Sequence, residues 1–384
     1  MIISVTLNPC LDKTVFVDRV EPGKRVHVKR VKYVAGGKGL NIARILNSLG
    51  YPNIAFTIAG GWSGSFLEDL MREDKITGEV VRIRGLTRTV ATVLEEDPWI
   101  ATEYNEDGPE ITRDEAAEIE SRLCDLIKAR RPEFVILSGS VPCRGLVGIY
   151  ARVISYAKSL GVKTILDTRD EALADGIKAA PFMVKPNLKE AEALFAGLNA
   201  NHRSSGAHGR NTGSGEEGEG RRPGPGGGDP GPAEELGARE GALRAVRALL
   251  DMSIQVVVLS LGRDGALVGA RPGSGSEPGP DIDVGIAGVA ATPPGIAGRA
   301  GSRQIEEGIW EAVPPQVEEV NPVASGDAFV GAFAYAMVSG MPLPECIRWG
   351  TAAGAANAAM WEPAYCSREQ IEALLDGVIV RKVK

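Results

Sequence analysis

From residue 133 onward, short apolar runs alternate with stretches of helical periodicity, and this rhythm restricts the fold more than any single residue does. "EFVILSGS" precedes a predicted helix over 145–160, "KTILD" a short helix near 170–177, and "PFMVKPN" a helix over 188–196. A strand that reads as an unbroken apolar run is covered on both faces, and strands separated by helices join in parallel through right-handed crossovers. A helix near 233–252, the strands "QVVVLSLG" and "GALVGA", and two small-residue-rich helices from 326 to 360 continue the pattern. The expected fold is α/β, with a mostly parallel central sheet flanked by helices.

The first hundred residues are richer in strands. "IISVTL" reads as a short apolar strand and "NIAFTIAG" as another strand, and "GKGLNIARILNSLG" shifts to helical spacing. "TVFVDRV" (14–20) and "RVHVKRVKYV" (25–34) alternate polar and apolar residues, as half-exposed strands do. "EVVRIRG" and "TRTVATVLEED" read as a further strand pair, with "WIATEYNEDG" as a third. The segments near 12–34 and 87–105 are expected to form a small β-sheet lid over the site. Thr112 and Glu115 have capping-box spacing before a helix over 113–129. Two stretches fall outside this scheme. Residues 199–232 are dominated by Gly and Pro and hold no large apolar side chain, so a disordered insertion is expected. Residues 271–304 read as a second low-complexity insertion. The whole chain, 1–384, is expected to be one domain carrying both.

Composition removes several functions. A formal net charge of −7 argues against a nucleic-acid footprint, which would need a basic face. No window reaches the apolar length of a membrane span, and Asp12 and Lys13 interrupt the N-terminal apolar run too early for a signal peptide. Five scattered cysteines without CxxC spacing fit a reduced cytoplasm. Of three histidines, two lie in the Gly/Pro-rich stretch, which leaves His27 alone for imidazole chemistry. Carboxylates, Lys and Arg side chains and backbone dipoles must then carry any catalysis.

Four stretches place small and polar residues where strands end, the usual ligand position of open α/β sheets. "AGGKGLNIA" (35–43) offers Gly37, Lys38 and Asn41 at a strand-to-helix turn, without the spacing of a Walker P-loop. "LSGSVP" (137–142) presents Ser138 and Ser140. In "KPNLKEAE" (185–192), Asn187 and Glu190 suit either a helix cap or a water-mediated magnesium shell. "NPVASGDAF" (321–329) sets Asp327 at a helix N-terminus whose N–H groups are open to an anion. Asp12, just past the first strand, is a further polar group at a strand end.

Taken in order, "AGGKGLN", "SGSVP", "DT", "KPNLKE", "SLGRDGA" and "NPVASGDAF" resemble the PfkB family of carbohydrate kinases, which have a ribokinase-like fold. "TLNPCLDKT" and "TRTV" are most similar to its hexose-phosphate branch, which includes 1-phosphofructokinase and tagatose-6-phosphate kinase. The resemblance implies ATP and Mg²⁺ as cofactors and a ketohexose phosphate as substrate, with fructose 1-phosphate first and tagatose 6-phosphate or fructose 6-phosphate next. It implies that Asp327 is the catalytic base and that the N–H groups of Ala324, Ser325, Gly326 and Asp327 form an anion hole. Asp12, Gly37, Lys38, Asn41 and Arg88 would contact the sugar phosphate, with Ser138 and Ser140 beside them. Asn187 would organise the nucleotide phosphates, with Glu190 reaching the metal through water, and Ser260, Gly262 and Gly265 would line the ATP side. Alanine at 324 departs from the family's usual glycine, so a silent sugar-phosphate or nucleotide binder is the alternative of another class. A homodimer through the lid strands is also expected.

Overall fold

The computed structural model describes residues 1–96, 99–204, 232–272 and 305–383. In chain order the elements are β1 (Ile2–Thr6), β2 (Cys10–Val17), β3 (Arg30–Gly36), α1 (Lys38–Ser48), β4 (Asn53–Gly60), α2 (Gly61–Glu73), β5 (Gly78–Ile83), β6 (Arg88–Glu96), β7 (Trp99–Asn105) and α3 (Arg113–Arg130). They continue with β8 (Phe134–Ser138), α4 (Ile149–Ser159), β9 (Lys163–Asp167), α5 (Asp170–Lys178), β10 (Met183–Val184), α6 (Leu188–Ser204), α7 (Pro232–Asp251), β11 (Val256–Ser260) and β12 (Ala266–Ala270). Last come β13 (Gly308–Val313), α8 (Ser325–Val338), α9 (Leu343–Ala358), α10 (Arg368–Leu374) and β14 (Ile379–Val383).

Ten strands form the main sheet in the order β14-β13-β12-β11-β10-β9-β8-β1-β4-β5. Pairing is parallel from β5 to β11 and antiparallel among β11, β12, β13 and β14. Both faces are covered, which is why β1 and β8 are buried along their whole length. One face packs Ile42, Ile45 and Leu46 of α1 against Val330 and Phe333 of α8 and Ile347 of α9. The other packs Leu123 and Ile127 of α3, Val153 and Ile154 of α4, and Leu249 of α7. Each such aliphatic side chain contributes about 1.5–3 kcal/mol when fully buried. The small residues of α8 and α9 permit close packing: Gly331 lies against Ile45, and Gly350 against the ring of Phe329.

The second sheet has four strands in the order β3-β2-β6-β7 and stands over the end of the main one. It differs from the sequence reading in two ways. β2 starts earlier and stops at Val17, and the alternating run 25–28 is not a strand, because β2 pairs with β3 only out to Phe16↔Arg30. "EVVRIRG" and "TRTVATVLEED" are not partners: β5 joins the main sheet beside β4, while β6 pairs with β2 and β7. Helix α6 runs on to Ser204, inside the first expected insertion, and α7 starts at Pro232; residues 205–231 and 273–304 of the two expected insertions lie outside the described residues. The expected Thr112–Glu115 capping box is present at α3.

The turn between β11 and β12 depends on Gly265. Its φ is 92°, and a Cβ there would run into the carbonyl oxygen of Ala312 on the neighbouring strand. Gly265→Ala is therefore expected to cost about 2 kcal/mol or more from left-handed strain and overpacking, seen as a lower urea midpoint. A midpoint unchanged from the wild type would contradict this account of the turn.

Candidate active site

The loops leaving the C-terminal ends of β1, β8, β9 and β10 meet the start of α8 beneath the small sheet. They enclose a cavity of about 400 Å³. Asp12, Gly37, Lys38, Asn41, Arg88, Ser138, Ser140, Glu190, Ala324, Gly326 and Asp327 line it, as do Asn8, Cys10, Glu103, Asn105, Thr168 and Arg169, which the sequence reading did not single out. Ser325, Asn187, Ser260, Gly262 and Gly265 are not among its lining residues, and His27 sits exposed on the 18–29 loop.

The first turn of α8 is held by its neighbours. Ala324, the N-cap, has φ 66° and ψ 4°, the left-handed conformation that glycine would adopt without strain. Asn357, fully buried on α9, donates to Val323 O at 2.7 Å and to Ser325 Oγ at 3.0 Å, and accepts from Ala364 N–H. The N–H of Ser325 bonds Pro322 O at 3.2 Å and is already used, while those of Ala324, Gly326 and Asp327 have no partner among the described residues. Asp327 is buried, and its Oδ2 accepts from Asn41 Nδ2 at 2.8 Å. The other end of that amide, Asn41 Oδ1, accepts from Arg44 Nη1 at 3.0 Å, and Arg44 is itself paired with Asp74 at 2.7 Å. Burial pushes the Asp327 carboxyl up to about 6; Lys38 pulls it down and Asp167 pushes it up. That value suits a carboxylate that must take a proton near neutrality.

Below Asp327 lies an ion cluster. Asp167, at the end of β9, accepts from Lys38 Nζ at 3.1 Å and pairs with Lys185 Nζ at 3.3 Å. Burial works against the Asp167 charge, but Lys185 and Lys38 together hold its carboxyl below the usual range. Burial likewise opposes the Lys38 charge, and Asp167, Asp327 and Glu190 outweigh it, so Lys38 stays cationic. A Cβ on Gly326 would lie 3.0 Å from Lys185 Nζ, so this ammonium sits against the open end of α8.

On the opposite side Asp12 is recessed, with Cys10 Sγ donating to its Oδ1 at 3.3 Å. Burial pushes the Asp12 carboxyl up to about 6, against the pull of the Cys10 hydrogen bond and of Arg44 and Arg88. Gly36 has no Cβ because the Asp12 carboxylate fills that space. Arg88 donates to Asn105 Oδ1, to Glu106 O at 3.1 Å and to Asn8 O at 3.3 Å, while its Nε has no partner among the described residues. Asn8 Nδ2 donates to Ser140 Oγ at 3.1 Å. Among the described residues, Thr6 Oγ1, Asn8 Oδ1 and Ser138 Oγ on the cavity wall, and Asp167 Oδ2 off it, are likewise buried without partners. Unpaired buried polar atoms are costly and rare, so a group of them around one cavity points to a polar ligand.

Asn187 and Glu190 form a reciprocal cap on α6: Asn187 N–H donates to Glu190 Oε2 at 2.9 Å, and Glu190 N–H to Asn187 Oδ1 at 2.8 Å. No cluster of three metal-ligating side chains exists among the described residues. The donor set fits an ion held by one carboxylate through water and by ligand phosphates, the usual situation of Mg²⁺. Beyond β10, Ser260 N–H bonds Pro186 O at 3.1 Å, which ties the Gly262–Gly265 turn to the start of that cap.

The chain as a whole has known relatives. The chain matches the family model of the pfkB family carbohydrate kinases over residues 5–214 and 297–367. It is 28% identical over 355 residues to the 1-phosphofructokinase of Xanthomonas campestris, covering 91% of this chain and 88% of that one. It is 33% identical over 198 residues to the tagatose-6-phosphate kinase of Staphylococcus epidermidis, covering 51% of this chain and 62% of that one. Among solved structures, it resembles a possible 1-phosphofructokinase of Thermotoga maritima, with a TM-score of 0.72, 21% identity and 100% of both chains covered. It also resembles the ribokinase of the same organism, with a TM-score of 0.61, 18% identity, 98% of this chain and 99% of that one covered. The fold is ribokinase-like.

The strain at the start of α8 can be measured. Replacing a helical alanine by glycine ordinarily costs roughly 0.5–1 kcal/mol. At Ala324 the relief of left-handed strain opposes that cost, so Ala324→Gly is expected to melt no lower than the wild type. Ala328→Gly, in the same helix, is expected to melt lower. Equal losses in both variants would show that Ala324 carries no strain.

Proposed function

Taking as premise that the chain belongs to the pfkB family of carbohydrate kinases and is a sugar-phosphate kinase, we propose that it phosphorylates fructose 1-phosphate to fructose 1,6-bisphosphate with ATP. The observation that carries the reading is Asp327, a buried carboxylate with a raised pKa at a helix N-terminus, bonded to Asn41 within the same cavity. In the proposed reaction Asp327 takes the proton of the acceptor hydroxyl. The hydroxyl oxygen bonds to the γ-phosphorus as the bond from that phosphorus to the bridging oxygen of ADP breaks. The free N–H groups of Ala324, Gly326 and Asp327, the α8 dipole and Lys185 stabilise charge on the transferring group. Lys38 and Asn41 orient Asp327 and the acceptor, and Asp12 accepts from sugar hydroxyls. Arg88 pairs with the sugar phosphate, with Ser138 and Ser140 beside it. Mg²⁺, approached through water by Glu190, would neutralise nucleotide charge, and Asn187 with the Ser260–Gly265 turn would line the nucleotide side.

Tagatose 6-phosphate and fructose 6-phosphate are the runner-up acceptors, since they present the same groups in another orientation. We include a homodimer through the small sheet in the proposal, supported by the exposed apolar side chains of Val31, Ile100 and Tyr104 on it. Light scattering is expected to give twice the mass of one chain, and a monomer at micromolar concentration would remove the dimer.

A coupled ADP-release assay with the three sugar phosphates tests the reading. Turnover is expected with fructose 1-phosphate foremost, and turnover with none overturns it. Asp327→Asn is expected to lower kcat by roughly 10²–10⁴-fold while sugar-phosphate binding persists. Both Asp327 and Asp12 sit near 6 and act ionised. Activity is therefore expected to rise with pH through about 6, with kcat/KM falling below it at a slope approaching two. Asp12→Asn is expected to reduce that slope to one.

A further inference from the structure

Arg169 belongs to the cavity wall, yet the reaction as described gives it no part. It follows β9, which lies between β8 and β10 in the sheet. The β8 end supplies Ser138 and Ser140, on the acceptor side, and the β10 end leads to Glu190, on the donor side. Arg169 therefore rises from the seam between the two. Its backbone is fixed there: the neighbouring Thr168 Oγ1 donates to Gly139 O at 2.8 Å, and Leu173 N–H bonds Arg169 O at 3.2 Å. The following residue, Asp170, has φ 55°, a left-handed bend at a non-glycine residue.

The side chain is not fixed in the same way. Arg169 is 62% exposed, and among the described residues its one ion pair is to Asp170 Oδ2 at 3.4 Å, a carboxylate 82% exposed. Exposed pairs of this kind contribute about 0–1 kcal/mol and are readily exchanged. Of the other two cations of the wall, Lys38 is paired with Asp167, and Arg88, held by three oxygens, is already assigned to the sugar phosphate in the proposed reaction. The wall carries these three cations against four carboxylates, an unfavourable balance for holding two phosphorylated substrates at once. A cation that can turn inward corrects it, and a guanidinium matches phosphoryl oxygens with two parallel donors.

We infer that Arg169 folds over the seam in the substrate complex and pairs with the equatorial oxygens of the transferring phosphoryl group, as a catalytic residue supplied from within the chain. This rests on the kinase reading above. It would act mainly in the transition state, where charge spreads over those oxygens.

The test is steady-state kinetics of the full chain with ATP and fructose 1-phosphate, comparing Arg169→Ala, Arg169→Gln and Arg169→Lys, with thermal melting of each. Arg169→Ala and Arg169→Gln are expected to lower kcat on the order of a hundredfold with both KM values within threefold and melting unchanged. Arg169→Lys is expected to recover part of the loss, and added guanidinium at millimolar concentration to restore part of the Arg169→Ala rate. An active wild type whose Arg169→Ala and Arg169→Gln variants keep kcat within threefold overturns the inference, as does a loss confined to KM. If the wild type turns over none of the three sugar phosphates, the kinase reading fails first and the inference falls with it.

Discussion

The carboxylate of Asp167 is the point on which the cavity is built. It is buried at the end of β9 and meets lysines from two other places, the start of α1 and the end of β10. Isolated, such a charge would be prohibitively costly; between two ammonium groups it becomes a junction that resists displacement of any member. Lys38 and Lys185 in turn reach toward Asp327 and Gly326, so the first turn of α8 is positioned electrostatically from below. Asn357 positions it from behind through backbone and hydroxyl contacts. The N-terminal end of the helix is thereby held from two sides by fixed groups, which is what preorganisation of charge for the proposed reaction requires.

The small sheet complements this rigidity with a second wall of different character. Most of its cavity-lining side chains, Asp12, Arg88, Glu103 and Asn105 beside Cys10 and Val90, are polar or charged, whereas the main sheet offers hydroxyls and N–H groups. Arg88 belongs to both, since it sits on β6 and donates to Asn8 O beside β1. A ligand contacting Arg88 therefore senses the separation of the two sheets.

Much of this was legible locally and little of it at long range. Helix α1, the Thr112 cap and the acid at the start of α8 are written in residues a few positions apart, where spacing and capping chemistry suffice. The Asn187–Glu190 pair was legible as an alternative, and the capping geometry is the one realised. The Lys38–Asp167 bond spans 129 positions, and nothing in "KTILDT" marks its aspartate as a partner of a glycine-loop lysine. Arg169 was missed because an exposed arginine beside an aspartate looks like surface until the sheet order places it over the cavity. Residues 25–28 misled in the opposite direction: alternation describes a strand only where a neighbour exists to pair with it. The edge strand β14 and its neighbour β13 were passed over for a related reason, being short and partly exposed.

One amide connects two charges of opposite sign. Asn41 presents its oxygen to Arg44 and its nitrogen to Asp327, and Arg44 is itself fixed by Asp74, by Ala35 O and by the ring of Tyr365. The guanidinium thus decides which way the amide faces, and the amide decides that the acid receives a donor rather than another acceptor. The polarity around the buried Asp327 carboxylate is in this sense set two side chains away, by a residue that is not among those lining the cavity. An exchange of one nitrogen for one oxygen at position 41 would keep every shape and reverse the message.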